Sequence, residues 1–189
     1  MDRLRPITHC DRIETVVTDR TNSMRDDIPV RRWESDGWTC STDPALVEID
    51  TVRRYLAAGS QSPGIPRETV ARFVANSVNF ALYPGAPEDG HPMVGYARVV
   101  TDFAAFAYLG DVFLLEPHRG RRRGTFLMDC VMGHPDLQGL RRWMLMCGER
   151  PMPLYARYGF VEPERPGYCM HRTDRQIYMR AAEAGEGAS

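Results

Sequence analysis

The stretch from residue 106 to residue 131 constrains the fold of this chain more than any other. Residues 106–115 are apolar apart from Gly110-Asp111, and a run of that kind lies inside a sheet covered on both faces. The run stops at Glu116-Pro117, Gly120 and Gly124 then bracket Arg121, Arg122 and Arg123, and Phe126, Leu127, Cys130 and Val131 recur at helical spacing. The segment therefore reads as a strand, an arginine-rich turn and a helix start. Backbone N–H groups at a helix N-terminus lack partners inside the helix and carry the positive end of its dipole, so this arrangement suits an anion such as a phosphate.

The flanking elements follow from the same periodicities. A helix over 123–133, a break over 134–140 and an apolar strand over 142–147 complete a strand–helix–strand crossover, which places its two strands parallel. Residues 93–100 and 106–115 are joined by 101–105, short enough for an antiparallel hairpin. Residues 78–83 alternate at period two, and 38–41 form a short strand candidate. Between them lie two helices, one capped by Asp50 and stopped at Gly59-Ser60, the other opened by Pro66 with Val70, Phe73 and Val74 on one face. Downstream, a short helix over 154–158 closes at Gly159, short strands are expected at 160–161 and 168–170, and a last amphipathic helix at 173–184. Residues 1–36 mix charges of both signs with weak periodicity and read as a disordered or loosely packed arm. The expected division is an arm over 1–36, one domain over 37–172, and a C-terminal helix and tail over 173–189.

Composition narrows the function classes. A formal net charge of -1 argues against a generally basic nucleic-acid binder, and no aromatic residue interleaves with the arginines to stack bases. All 24 basic residues are arginine, so no lysine exists for a P-loop nucleotide site or for modification of a lysine side chain. Five widely spaced cysteines, never in a C-x-x-C pair, fit a reduced protein with no metal site and no disulfide framework. With no signal-like N-terminus and no stretch of ~20 apolar residues, the expectation is a cytoplasmic protein without membrane contact.

Two motifs carry a family resemblance. Leu114-Leu115-Glu116-Pro117-His118-Arg119-Gly120-Arg121-Arg122-Arg123-Gly124 resembles the strand end and [Q/R]-x-x-G-x-[G/A] loop of the GCN5-related N-acetyltransferase (GNAT) superfamily, and Leu154-Tyr155-Ala156-Arg157-Tyr158-Gly159-Phe160 is similar to its L-Y-x-x-x-G-F signature. The likeness covers roughly residues 38–171 and points to a compact bacterial subgroup. It implies an α/β (α+β) fold with a mixed, mostly antiparallel sheet of about 6–7 strands, splayed at the cofactor site and flanked by about 4 helices. It further implies acetyl-CoA as co-substrate, a primary amine of a small molecule or a protein N-terminus as acceptor, and direct attack on the thioester.

Carried over residue by residue, the resemblance puts the cofactor on Phe113, Leu114 and Leu115, whose backbone would pair with the pantetheine arm, and on Arg119, Gly120, Arg121, Arg122, Arg123, Gly124 and Thr125 at the pyrophosphate. It makes Tyr155 the acid that protonates the departing thiolate; the alternative for Tyr155 is a helix-face aromatic. Asp111, Glu116, His118 or water are open as the base. Arg122 stands where the family's loop has its middle glycine, and Pro151 and Pro153 crowd the start of the short helix. A degenerate, non-catalytic CoA-binding relative or sensor is therefore the competing reading. The acceptor and the oligomeric state are not legible.

Overall fold

The structure is a computed structural model that describes residues 12–16, 29–59, 62–174 and 176–180, with backbone only for 12–16 and 168. The chain groups into two compact units: one runs up to Val47 and resumes over Ser77–Met146, and the other comprises Glu48–Asn76 and the chain from Cys147 onward.

The first unit is a seven-stranded sheet whose spatial order follows chain order: β1 (Arg12–Val16), β2 (Val30–Ser35), β3 (Trp38–Ser41), β4 (Val78–Tyr83), β5 (Gly95–Thr101), β6 (Phe106–Leu114) and β7 (Arg142–Leu145). All neighbours are antiparallel except β6 and β7, which are parallel because helix α3 (Arg123–Met132) carries the chain back across the sheet. Every residue of β4 is buried, as its central place requires. Trp33, Phe80, Leu82, Tyr96, Leu127, Met128 and Val131 form much of the core, and Trp33 meets the ring of Phe80 at 5.9 Å.

The β5–β6 hairpin is held by Asp102, whose Oδ1 accepts the N–H groups of Ala104, Ala105 and Phe106, each at 2.9 Å. Those three donors hold its carboxyl down to about 2. Further along, Tyr96 pairs with Phe113 but Arg98 pairs with Gly110, so β6 carries one extra residue, a β-bulge. Asp111 sits in it at φ 53°, and its carboxylate accepts from Arg98 Nε at 2.6 Å.

Two expectations are corrected here. Residues 30–35, read as part of a loose arm, are a strand within the sheet: Trp33 is 1% exposed opposite Cys40, and Asp36-Gly37, both at positive φ, make a two-residue hairpin turn into β3. Apart from β1, residue 29 and Asp36, the rest of the predicted arm lies outside the described residues. The strands expected at 160–161 and 168–170 do not form; residues 160–165 are irregular and Pro166–Tyr168 is a single 3-10 turn. Pro163 and Pro166 fall between the two expected strands, and Pro166 opens the turn that takes Tyr168 out of extended backbone.

The second unit holds α1 (Ile49–Ala58), α2 (Arg67–Ala75) and α4 (Met152–Ala156), with α1 and α2 packed together and an exposed Asp50–Arg67 ion pair at 3.2 Å between them. Residues 177–180 begin a further helical turn, and the remainder of the helix expected over 173–184 falls outside the described residues.

Candidate cofactor turn and tyrosine helix

The β6–β7 ladder pairs Phe106 with Arg142 and ends at Leu109 with Leu145, so among the described residues no strand pairs with β6 beyond Leu109 on that side. Bonding direction alternates along a strand. The Leu115 N–H is committed toward β5, donating to Val94 O at 2.8 Å, which turns the Leu114 N–H to the open edge. Of the three backbone positions carried over from the sequence, Leu114 is thus the one that offers a donor there. Its carbonyl accepts from Arg119 Nε at 3.1 Å, which ties the arginine back onto the strand end.

After a 3-10 turn at Glu116–His118, Gly120 (φ 84°), Arg121 (φ 47°) and Arg122 (φ 62°) form three consecutive left-handed residues, and α3 starts at Arg123. Left-handed backbone favours glycine, and holding an L-residue there costs roughly 1–2 kcal/mol. Arg122 accepts that conformation while acting as helix N-cap without a side-chain capping bond. The side chains of Arg121 and Arg122 are exposed. Arg123 is different: its guanidinium lies over the ring of Trp38, Cζ 4.3 Å from the centroid, and its Nε is buried with no hydrogen-bond partner among the described residues. Trp38, Asp36, Arg121, Arg122, Arg123 and Asp129 line a groove of about 640 Å³, and Thr125 in the first turn of α3 also faces it. Trp38 carried no signal in the sequence beyond marking a strand, since its contact depends on a partner 85 positions away (123 − 38).

In the second unit, α4 places Pro151 at the N-cap and Pro153 at the second helical position. Both sit where a backbone N–H has no intrahelical partner, so neither removes a helix bond. Tyr155 is 7% exposed, its ring meets Phe160 edge-on at 6.1 Å, and Gly159 ends the segment at φ 83°. Burial first, and then the neighbouring Cys147 and Tyr55, push the Tyr155 hydroxyl up to about 12.

Among the base candidates, Asp111 is held by Arg98, while His118 meets the edge of Trp38 at 6.2 Å. Among the described residues no group of three or more His, Cys, Asp or Glu side chains is placed to hold a metal ion, and no helix is long and apolar enough to cross a membrane.

Comparison with known proteins adds four findings. Residues 49–160 match the model of the Acetyltransferase (GNAT) family. A crystal structure from Xanthomonas campestris pv. campestris, of a protein assigned to the GNAT acetyltransferases, is 42% identical with a TM-score of 0.69, covering 77% of this chain and 99% of that one. A candidate acetyltransferase of Gibberella zeae is 27% identical over 145 residues, 67% of this chain and 80% of the relative. A Clostridium acetobutylicum acetyltransferase structure with acetyl-CoA shares the fold at a TM-score of 0.55 and 14% identity, over 72% of this chain and 94% of that one.

Proposed function

This chain belongs to the acetyltransferase (GNAT) family, and on that premise we propose that it transfers an acetyl group from acetyl-CoA to a primary amine, of a small molecule or a protein N-terminus, by direct attack on the thioester. The observation that carries this reading is the continuous path from the open edge of β6 at Leu114, through the left-handed turn Gly120-Arg121-Arg122, to the first turn of α3.

The residues fit acetyl-CoA. Arg121, Arg122 and Arg123 supply permanent positive charge at a helix N-terminus, and the buried Nε of Arg123 is a donor that lacks an acceptor among the described residues. When bound, acetyl-CoA supplies the activated acetyl thioester. Phe113, Leu114 and Leu115 would align its arm, with the Leu114 N–H as donor to the carbonyl oxygen as negative charge develops there. Arg119, Gly120, Gly124 and Thr125 would complete the phosphate turn.

Tyr155 is the proton donor in this reading. A phenol held at about 12 is fully protonated near neutrality, so the proton is in place at the start of every turnover. Transfer to a thiolate with an ordinary pKa of ~8.5 is uphill by itself, so the phenol gives its proton to the leaving sulfur only as the proton released by the amine is returned to Tyr155. Water, or one of Asp111, Glu116 and His118, would take the proton from the amine.

The test is a calorimetric titration with acetyl-CoA and CoA, followed by a thiol-release screen over small amines and peptide N-termini. Binding with thiol release in the presence of an amine supports the proposal. Binding without release across the panel selects the non-catalytic CoA-binding alternative, and no binding of either CoA form rejects both.

A further inference from the structure

We infer that Trp38 is a positioning residue for the cofactor's phosphates, acting through Arg123; this rests on the acetyl-CoA reading of the turn. Trp38 lies outside the region matched by the family model and stands at the start of β3, directly after the tight turn from β2.

Three observations meet at this contact. The Arg123 guanidinium lies 4.3 Å from the Trp38 ring centroid, within range of a cation–π interaction, for which indole is the strongest of the aromatic side chains. The indole has further neighbours: Trp38 opens β3 opposite Ser35, and its ring meets that of His118 in a T-shaped contact at 6.2 Å. The Arg123 Nε is withdrawn from water without an acceptor among the described residues, although such donors are ordinarily satisfied.

A freely moving arginine would turn this donor to solvent. Stacked on the indole, it is held with its plane set and a hydrogen bond left to give. The groove beside it is lined by three guanidinium groups against the carboxylates of Asp36 and Asp129, so its excess charge is positive and an anionic oxygen is the matching acceptor. Arg121 and Arg122, exposed on the same turn, contribute charge without this fixed orientation.

The experiment is isothermal titration with CoA of the wild type, Trp38→Leu, Trp38→Phe, Arg123→Ala and the double variant Trp38→Leu/Arg123→Ala, each checked for an unchanged circular-dichroism spectrum. Trp38→Leu should weaken CoA binding about three- to tenfold, and Trp38→Phe less, in line with the strength of a partly desolvated cation–π contact. Arg123→Ala should weaken binding at least as much, and the double variant should match Arg123→Ala alone, because the tryptophan has nothing left to position. Equal binding by wild type and Trp38→Leu overturns the inference while leaving the proposed function standing. Equal further loss from Trp38→Leu in the Arg123→Ala background also overturns it, since that marks a general structural role. Failure of the wild type to bind CoA overturns the proposed function and this inference with it.

Discussion

Replacing Arg122 by glycine should make the protein more stable, although it removes a charged residue from the heart of the turn. Arg122 sits at φ 62°, ψ 9°, in a run of three left-handed residues, and its side chain makes no capping bond to α3. Releasing an L-residue from that region returns roughly 1–2 kcal/mol. Glycine enlarges the unfolded ensemble, which takes back about 0.4–1 kcal/mol. It also serves as an N-cap within a few tenths of a kcal/mol of the best residues, so α3 loses nothing at its start. The net gain is about 1 kcal/mol, or about 2–4 °C in Tm for a chain of this size. Arg122→Ala is the control, because it discards the charge but keeps the backbone penalty. Urea unfolding at constant m should then rank Arg122→Gly above wild type, with Arg122→Ala close to wild type. If the glycine variant is no more stable than the alanine variant, the left-handed turn is not a store of strain. The same pair separates effects on CoA affinity: loss shared by both variants comes from the guanidinium.

Further outcomes follow from other residues. Tyr155→Phe should lower kcat about 10²–10⁴-fold with little change in KM for acetyl-CoA, and the wild-type pH–rate profile should show no alkaline loss from this group below about pH 11, since its pKa lies near 12; unchanged kcat would remove it from the mechanism. His134 is fully buried beside Trp33 and Phe80, and burial pulls it down to about 4 from 6.5, so the neutral form is favoured on folding. Its contribution is whole above pH 6.5 and is lost as pH falls through 4, up to about 3 kcal/mol in all, and His134→Gln should flatten that part of the stability profile measured by urea unfolding. Trp33→Ala should cost about 3–5 kcal/mol in urea unfolding, as expected for a core aromatic; an effect below about 1 kcal/mol would show that β2 is not part of the core.

The parts of the fold that were legible in the sequence are those where local pattern and tertiary context agree. The β6–α3 segment combined an apolar run, a glycine-bracketed turn and a 3.6-residue repeat, and its strand, turn and helix stand where those signals put them. The β5–β6 hairpin was fixed by its short connection. β2 escaped because Arg31, Arg32 and Glu34 surround a single large apolar residue, Trp33, which hides the alternation. A usable signal was nevertheless present, since Asp36-Gly37 is the dipeptide that favours the mirror-image turn of a two-residue hairpin. At the turn, the residue types were readable but their conformations were not: nothing in three consecutive arginines distinguishes the two that become left-handed from the one that stacks on Trp38.

The sequential order of the sheet has a consequence for how the chain reaches its native state. β2–β3 and β5–β6 are joined by short connections and β4–β5 by residues 84–94, whereas β6 and β7 pair Phe106 with Arg142 across the whole of α3. Loop-closure entropy is lower for the short connections, so the hairpins should form early and the parallel pair late. The open edge at Leu114 lies just past the end of that late ladder. The groove for an extended ligand would then be among the last features to mature, and pulse-labelled hydrogen exchange should show Trp143–Leu145 amides gaining protection after those of β4 and β5. Simultaneous protection would instead mark the sheet as a single kinetic unit.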